Sequence, residues 1–264
     1  MGQNIYGVDI GTSNFKMCCK DKDKIINEKN IIAIANKKDI LAFGDEAYEM
    51  YEKAPEHIEV SFPVKFGVIA DIENMQTLLL RFFNKMNDDK KFTGNTDFYI
   101  AVPTDVTEVE KRAFYELVAD SKVKAKNIYI VDKPVADAIG AGLDVTKSKG
   151  IMIVNIGAET TEISVLSLGG IVISKSVKIG GNKLDDSIIS AVRKVYNLII
   201  GSKTAEGLKK ELGSAVQAEE TFAPGFGRNV LSGLPVSVDI SSDVIYSAVV
   251  DPVSYTHLRA HETS

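Results

Sequence analysis

The chain has 264 residues, 45% of them hydrophobic and 25% charged, with a formal net charge of −5 and an isoelectric point near 5.4. Such a chain can bury a substantial core, in one large domain or two ordinary ones, and it is neither disordered nor fibrous. A mildly acidic surface repels nucleic-acid backbones and anionic lipid, so bulk charge favours neither as a partner.

The start, Met1-Gly2-Gln3-Asn4, has neither the charged nor the apolar region of a signal peptide, and no stretch offers eighteen consecutive apolar residues. A cytoplasmic protein is expected. Ile5 to Ile10 is an apolar run closed by Gly11, and Phe15 to Cys19 is a second run. Cys18 and Cys19 are the only cysteines. Neighbours on a strand point to opposite faces, which argues against a disulfide between them, and two thiols are too few for a metal site. They read as small core residues of a reducing compartment.

Residues 87–95 carry one aromatic, Phe92, among charges, and read as a solvated turn rather than a membrane anchor. Phe98 to Val102 is a short apolar strand ending at Pro103. Thr107-Glu108-Val109-Glu110 is a capping box, and Val109, Ala113, Phe114, Leu117 and Val118 recur behind it at helical spacing. Ile128 to Val131 reads as a buried strand that leads through Pro134 into a small-residue helix, Val135 to Gly142.

The first motif then returns. With Ile5 placed over Ile151, an offset of 146, the run Ile5 to Thr12 matches Ile151 to Ala158: an apolar strand, Asp or Asn, Ile, Gly. The strand after the turn, Phe15 to Cys19, corresponds to Thr161 to Leu168. A repeat this long implies two related domains rather than a solenoid. Beyond it, Leu184, Ile188, Ile189, Val192, Val195, Tyr196 and Ile199 share one face of a long helix, and a shorter helix runs from about Thr204 to Leu212. Alternating strands and helices give an α/β class. The expected organisation is one domain over 1–145 and a second over 146–253, with a cleft between them.

A glycine turn between strands leaves backbone amides free to point at phosphate, and the missing Cβ admits close approach. In the first copy Gly11, Thr12, Ser13 and Asn14 supply amides and hydroxyls, and Asp9 is placed to hold a hydrated Mg²⁺. A plain hairpin is the competing reading; two copies in one register count against it.

Gly7-Val8-Asp9-Ile10-Gly11-Thr12-Ser13-Asn14 resembles the first phosphate loop of the actin and heat-shock-chaperone superfamily, in the form used by the bacterial rod-shape (MreB/Mbl) family. Further matches are Gly67 to Asp71, Val102-Pro103 with Val106 to Ala113, Ala138 to Leu143, Ser167 to Val172, Thr204-Ala205-Glu206, Gly233-Leu234-Pro235 and Ile240-Ser241-Ser242. The resemblance covers roughly residues 5–253 and implies an actin-like ATPase fold: duplicated ribonuclease-H-like lobes around a nucleotide cleft, the second lobe incomplete. It also implies ATP with Mg²⁺, and filaments built from copies of the chain. Membrane association and the cell-wall synthesis proteins as partners come from the resemblance too; nucleic acid does not. Carried over by position, Thr12, Ser13 and Asn14 contact phosphate, Gly157, Ala158, Glu159 and Thr160 form a second phosphate loop, and Lys203, Thr204, Ala205, Glu206 and Lys209 flank the nucleoside. Without the resemblance, Thr204 to Lys209 reads as an exposed helix start with a Thr cap.

Three departures fall on the catalytic centre. The family places Glu, which orients the attacking water, where Lys133 stands; an ammonium cannot accept a hydrogen bond from water. Asn155 stands for the Asp that opens the second loop. Ala158 and Glu159 replace its glycine run, and Glu159 is expected to pair with Lys133. Hydrolysis is therefore expected to be impaired, against the alternative that Asp132 or another group still turns ATP over. Lys16 is read as a solvated strand lysine, with phosphate contact as the other option. Residues 254–264 show no helical or strand period and are read as a tail foreign to the family. A superfamily small-molecule kinase, or a scaffold that needs no nucleotide, are the rival functions.

Overall fold

The structure is a computed structural model that describes residues 4–88 and 96–263, with side chains to Ser254. From Asp89 onward the turn expected over 87–95 lies outside the described residues. The chain forms two compact units: Met1–Gly157 with Glu162–Ser176, and Ala158–Thr161 with Val177–Ser264. The strands of the second repeat copy thus fall mostly with the first unit, whereas the repeat itself puts a boundary at 145/146.

The first unit begins with β1 (Asn4–Ile10), β2 (Asn14–Cys19) and β3 (Lys22–Lys29). β4 (Ile32–Ala35), β5 (Asp39–Phe43), α1 (Asp45–Met50) and β6 (Ile58–Ser61) follow, then the short pair β7 (Val64–Lys65) and β8 (Val68–Ile69). Next come α2 (Ile72–Met86), β9 (Thr96–Val102), α3 (Glu108–Ala119), β10 (Asn127–Asp132) and α4 (Lys133–Gly140). The main sheet has the order β10-β9-β1-β2-β3. β1 lies at its centre, antiparallel to β2 and parallel to β9. Period-two alternation buries Tyr6, Val8 and Ile10 of β1 and Phe15, Met17 and Cys19 of β2, while Cys18, also expected in the core, is exposed because adjacent strand positions face opposite sides.

Helix α2 closes this core. Asp71 caps it by accepting from the Asn74 amide at 3.0 Å, and Met75, Leu78, Leu79, Phe82, Phe83 and Met86 are all buried. Phe82 stacks on Phe15 at 4.5 Å between ring centres. The Tyr6 hydroxyl donates to Asn87 Oδ1 at 2.8 Å. Asn87, expected in a solvated turn, is therefore buried, because it closes the helix end and satisfies a core hydroxyl.

The capping box forms: the Glu110 amide donates to Thr107 Oγ1 at 3.2 Å, and the Thr107 amide to Glu110 Oε2 at 2.7 Å. Phe114, Leu117 and Val118 are buried as spaced, but Val109 is 79% exposed because the first turn of α3 projects beyond the core. Thr107→Ala is expected to cost about 1 kcal/mol, read as a lower urea midpoint with an unchanged slope.

A second sheet has the order β5-β4-β6. The second repeat copy forms β11 (Ile151–Ile156), β12 (Thr161–Ser167) and β13 (Gly170–Val177), in the order β11-β12-β13. Ala138 of α4 packs there with Val145 and Leu166. Among the described residues β11 has one strand neighbour, whereas its counterpart β1 has two. Its outward positions Met152, Val154 and Ile156 are exposed.

The second unit contains α5 (Gly181–Tyr196), β14 (Leu198–Ile199), α6 (Ser202–Leu212), β15 (Phe222–Asn229), β16 (Pro235–Ser241) and α7 (Ser242–Thr263). Ile188, Val192, Leu198, Ala205, Leu208, Ile240 and Ile245 belong to its core. α5 stops earlier than its apolar spacing implied: Asn197 takes the left-handed conformation at φ 51°, and Ile199 is a strand residue. α7 runs on to Thr263, where the sequence showed no period, because propagating a helix requires backbone bonds rather than an amphipathic face.

Candidate functional site

The turn from β1 to β2 is tightly braced. The Gly11 amide donates to Asn14 O at 3.0 Å, and a Cβ on Gly11 would lie 2.8 Å from that oxygen, so only glycine fits. Buried Asn30 holds the turn from behind, donating its side-chain amide to Gly11 O and its backbone amide to Ser13 O, each at 2.8 Å. Thr12 Oγ1 accepts from the Gly67 amide at 3.1 Å, Ser13 Oγ from Lys29 Nζ at 3.2 Å, and Asn14 Nδ2 donates to Asn27 Oδ1 at 3.3 Å. Both hydroxyls are used here as acceptors, which leaves their own hydrogens for an anionic acceptor.

Directly before the turn stands Asp9, and both of its oxygens are occupied. Lys133 Nζ lies 2.7 Å from Oδ1 and Lys16 Nζ 2.9 Å from Oδ2. The hairpin register supplies the second contact, since Asp9 and Lys16 face each other across β1 and β2. The first comes from topology: β10 delivers Lys133 to the first position of α4, two strands from β1. Burial alone would raise the Asp9 carboxyl, but the Lys133 and Lys16 ammoniums outweigh it and hold the group below its ordinary 3.8. Lys16 is thus an ion-pair partner of Asp9 rather than the simply solvated lysine expected. Lys133 likewise has a carboxylate partner in Asp9, whereas Glu159, its expected partner, belongs to the second unit.

Asn155, near the end of β11, donates its amide to Asp137 Oδ2 at 2.5 Å. Burial pushes the Asp137 carboxyl above 3.8, against the lowering pull of the Asn155 amide and Lys133; Asp9 acts on it as well. Asp9, Lys16, Lys133, Asp137 and Asn155 therefore form one charged cluster in the first unit. Asp132, the sequence alternative for catalysis, is the N-cap of α4 and its side chain makes no capping bond.

Other expected residues lie elsewhere. Gly157 follows β11 in the first unit; Ala158, Glu159 and Thr160 belong to the second, where Ala158 O accepts from the Asn182 amide at 2.7 Å. Lys203, Thr204, Ala205, Glu206 and Lys209 all lie on α6. Gly201 is its N-cap, so Thr204 is an interior residue and not the cap. Ala205 is buried core, Glu206 meets Lys210 at 2.8 Å, and Lys209 donates to Asp185 Oδ2 at 2.9 Å and to Gly181 O at 3.0 Å.

Sequence reasoning missed two residues. Asp137 lies four positions after Lys133 on the same face of α4, a spacing that was legible. Lys29, which reaches Ser13 and sits 4.4 Å over the Tyr48 ring, had no local signal.

With this geometry in place, the sequence matches the family described as MreB/Mbl protein over residues 3–263. The chain belongs to the MreB/Mbl family. It is 35% identical to the cell shape-determining protein MreB of Escherichia coli (strain K12) over 260 residues, 96% of this chain and 74% of that protein. It is 36% identical to the cell shape-determining protein Mbl of Bacillus subtilis (strain 168), covering 94% of this chain and 74% of that one. The structure resembles MreB5 of Spiroplasma citri in crystals with ADP (TM-score 0.90, 32% identity, 99% of this chain and 79% of that chain). With AMPPNP the values are 0.92, 33%, 100% and 79%. The actin-like fold expected from the phosphate loops is therefore the fold of this MreB/Mbl chain. Among the described residues no helix is long and apolar enough to cross a membrane.

Proposed function

We propose that this chain is a nucleotide-binding cell-shape protein that assembles with copies of itself into membrane-associated filaments, and that it hydrolyses ATP poorly. Family membership supports the first part, together with the ADP- and AMPPNP-bound forms of the Spiroplasma citri relative. In this reading Gly11, Thr12, Ser13 and Asn14 receive phosphate, and the family implies nucleotide contacts for Gly157 to Thr160 and for α6. Cell-wall synthesis proteins and the inner face of the membrane are the partners the family implies.

The observation behind poor hydrolysis is the 2.7 Å contact of Lys133 Nζ with Asp9 Oδ1. The position that carries the family's water-orienting Glu holds three hydrogen-bond donors and no acceptor, and its donors point at a carboxylate.

The test combines AMPPNP binding by calorimetry with high-speed sedimentation in ATP. Saturable binding and nucleotide-dependent pelleting are expected. Pelleting that ignores nucleotide favours the scaffold alternative, and absence of both binding and pelleting refutes the proposal.

A further inference from the structure

We propose that this chain holds the phosphates of its nucleotide without a magnesium ion, the ammonium groups of Lys133 and Lys16 standing in for the cation beside the Gly11–Asn14 turn. The inference rests on the nucleotide-binding reading above and specifies how that site neutralises its ligand.

The donor set does not suit magnesium. A hydrated Mg²⁺ is held through its waters by carboxylate lone pairs in near-octahedral geometry. Asp9 is the carboxylate that directly precedes the turn, and its two oxygens already accept from ammoniums at 2.7 and 2.9 Å. A dication approaching that carboxylate would meet two positive charges first. The next polar groups fare no better. Asn155 is neutral and its amide is committed to Asp137 at 2.5 Å, so one Asp137 oxygen is taken as well. Among the described residues no group of three or more His, Cys, Asp or Glu side chains is gathered to hold a metal.

The same groups suit a polyphosphate. An ammonium has three donors, so Lys133 and Lys16 each keep donors after binding Asp9. Their side chains are 18% and 52% exposed, which shields Lys133 and leaves Lys16 open to a ligand. Lys29 reaches the turn from the end of β3 through Ser13. Lysines from β2, β3 and α4 thus reach Asp9 or Ser13, at or just before one loop whose hydroxyl hydrogens are unspent. Asp9 then acts as a positioning residue: it fixes two long side chains that would otherwise lose rotamer freedom when the ligand arrives.

The test measures AMPPNP affinity of the full chain by calorimetry in magnesium and again in EDTA. The two dissociation constants are expected to agree within about threefold, and Lys133→Gln or Lys16→Gln to weaken binding in EDTA by about tenfold or more, the value of one charge-assisted hydrogen bond. Lys133→Glu is expected to make binding depend on magnesium by a similar factor. If magnesium tightens binding to the parent chain by about tenfold, this inference is overturned while the nucleotide reading stands. Unchanged affinity in both Gln variants overturns the role given to the lysines. No binding in either buffer removes the nucleotide reading and this inference with it. The parent comparison decides the magnesium question even if a variant fails to fold, which circular dichroism reports.

Discussion

Lys133→Glu should raise phosphate release in magnesium by about tenfold or more, because a positioned carboxylate acting on water contributes on the order of 10²–10⁴-fold and only part of that centre is restored. The side chain occupies the first position of α4. A helix N-terminus favours an anion and disfavours a cation by about 0.3–1 kcal/mol, so Glu suits the backbone there better than Lys does. The parent offsets that mismatch through Asp9. In the variant two carboxylates approach each other, a repulsion on the order of 4 kcal/mol at 4 Å near a protein surface, which a divalent cation relieves. Adding Asn155→Asp should raise the rate further, since it frees Asp137 from the Asn155 amide and returns a second acceptor. Lys133→Met, which removes the charge but supplies no acceptor, should not raise the rate. A Lys133→Glu rate equal to that of the parent would mean that water activation is not what this centre lacks.

The largest stability effect is expected at Phe82→Ala, a loss of about 3–5 kcal/mol. Phe82 is fully buried, stacked on Phe15 at 4.5 Å and edge-on to Phe43 at 5.5 Å. Truncation opens a cavity between α2 and the sheet whose walls are themselves large rings, which collapse poorly. The loss is a large share of the 5–15 kcal/mol typical of a domain. The chain has no tryptophan, so far-ultraviolet circular dichroism in urea is the natural readout. Two compact units make a single transition unsafe to assume, and the first-unit transition is the one that should move. A loss below about 1 kcal/mol would show that α2 does not close this core.

The hairpins were legible because each carries its instruction locally: an apolar run, a glycine turn, a second run, with Gly11 the residue that alone fits its turn. The Thr107 box was legible for the same reason. Helix α2 has a legible pattern too, since Asp71 caps it and Met75, Leu78, Phe82 and Met86 keep helical spacing, but the Gly67–Asp71 match to the family ends where the helix begins. Strand β3, Lys-Asp-Lys-Ile-Ile-Asn-Glu-Lys, buries only Ile26 and offers no pattern. Within the site, the pairing of Asp9 with Lys16 follows from hairpin register and was available. The pairing with Lys133 spans 124 positions and exists only because β9 sits between β1 and β10. Sequence named both residues as members of one centre, but it did not name Asp9 as the partner of Lys133.

The one-sided pairing of β11 bears on how the filament experiment is interpreted. Among the described residues β11 is paired on one side, and such a rim, with Met152, Val154 and Ile156 projecting beside it, is a template for adding further strands. Material recruited by that route would sediment as readily as an ordered polymer, yet it would ignore nucleotide and bind dyes specific for cross-β stacking. Pellets should therefore be stained as well as weighed, so that clumping through this rim is told apart from end-to-end growth.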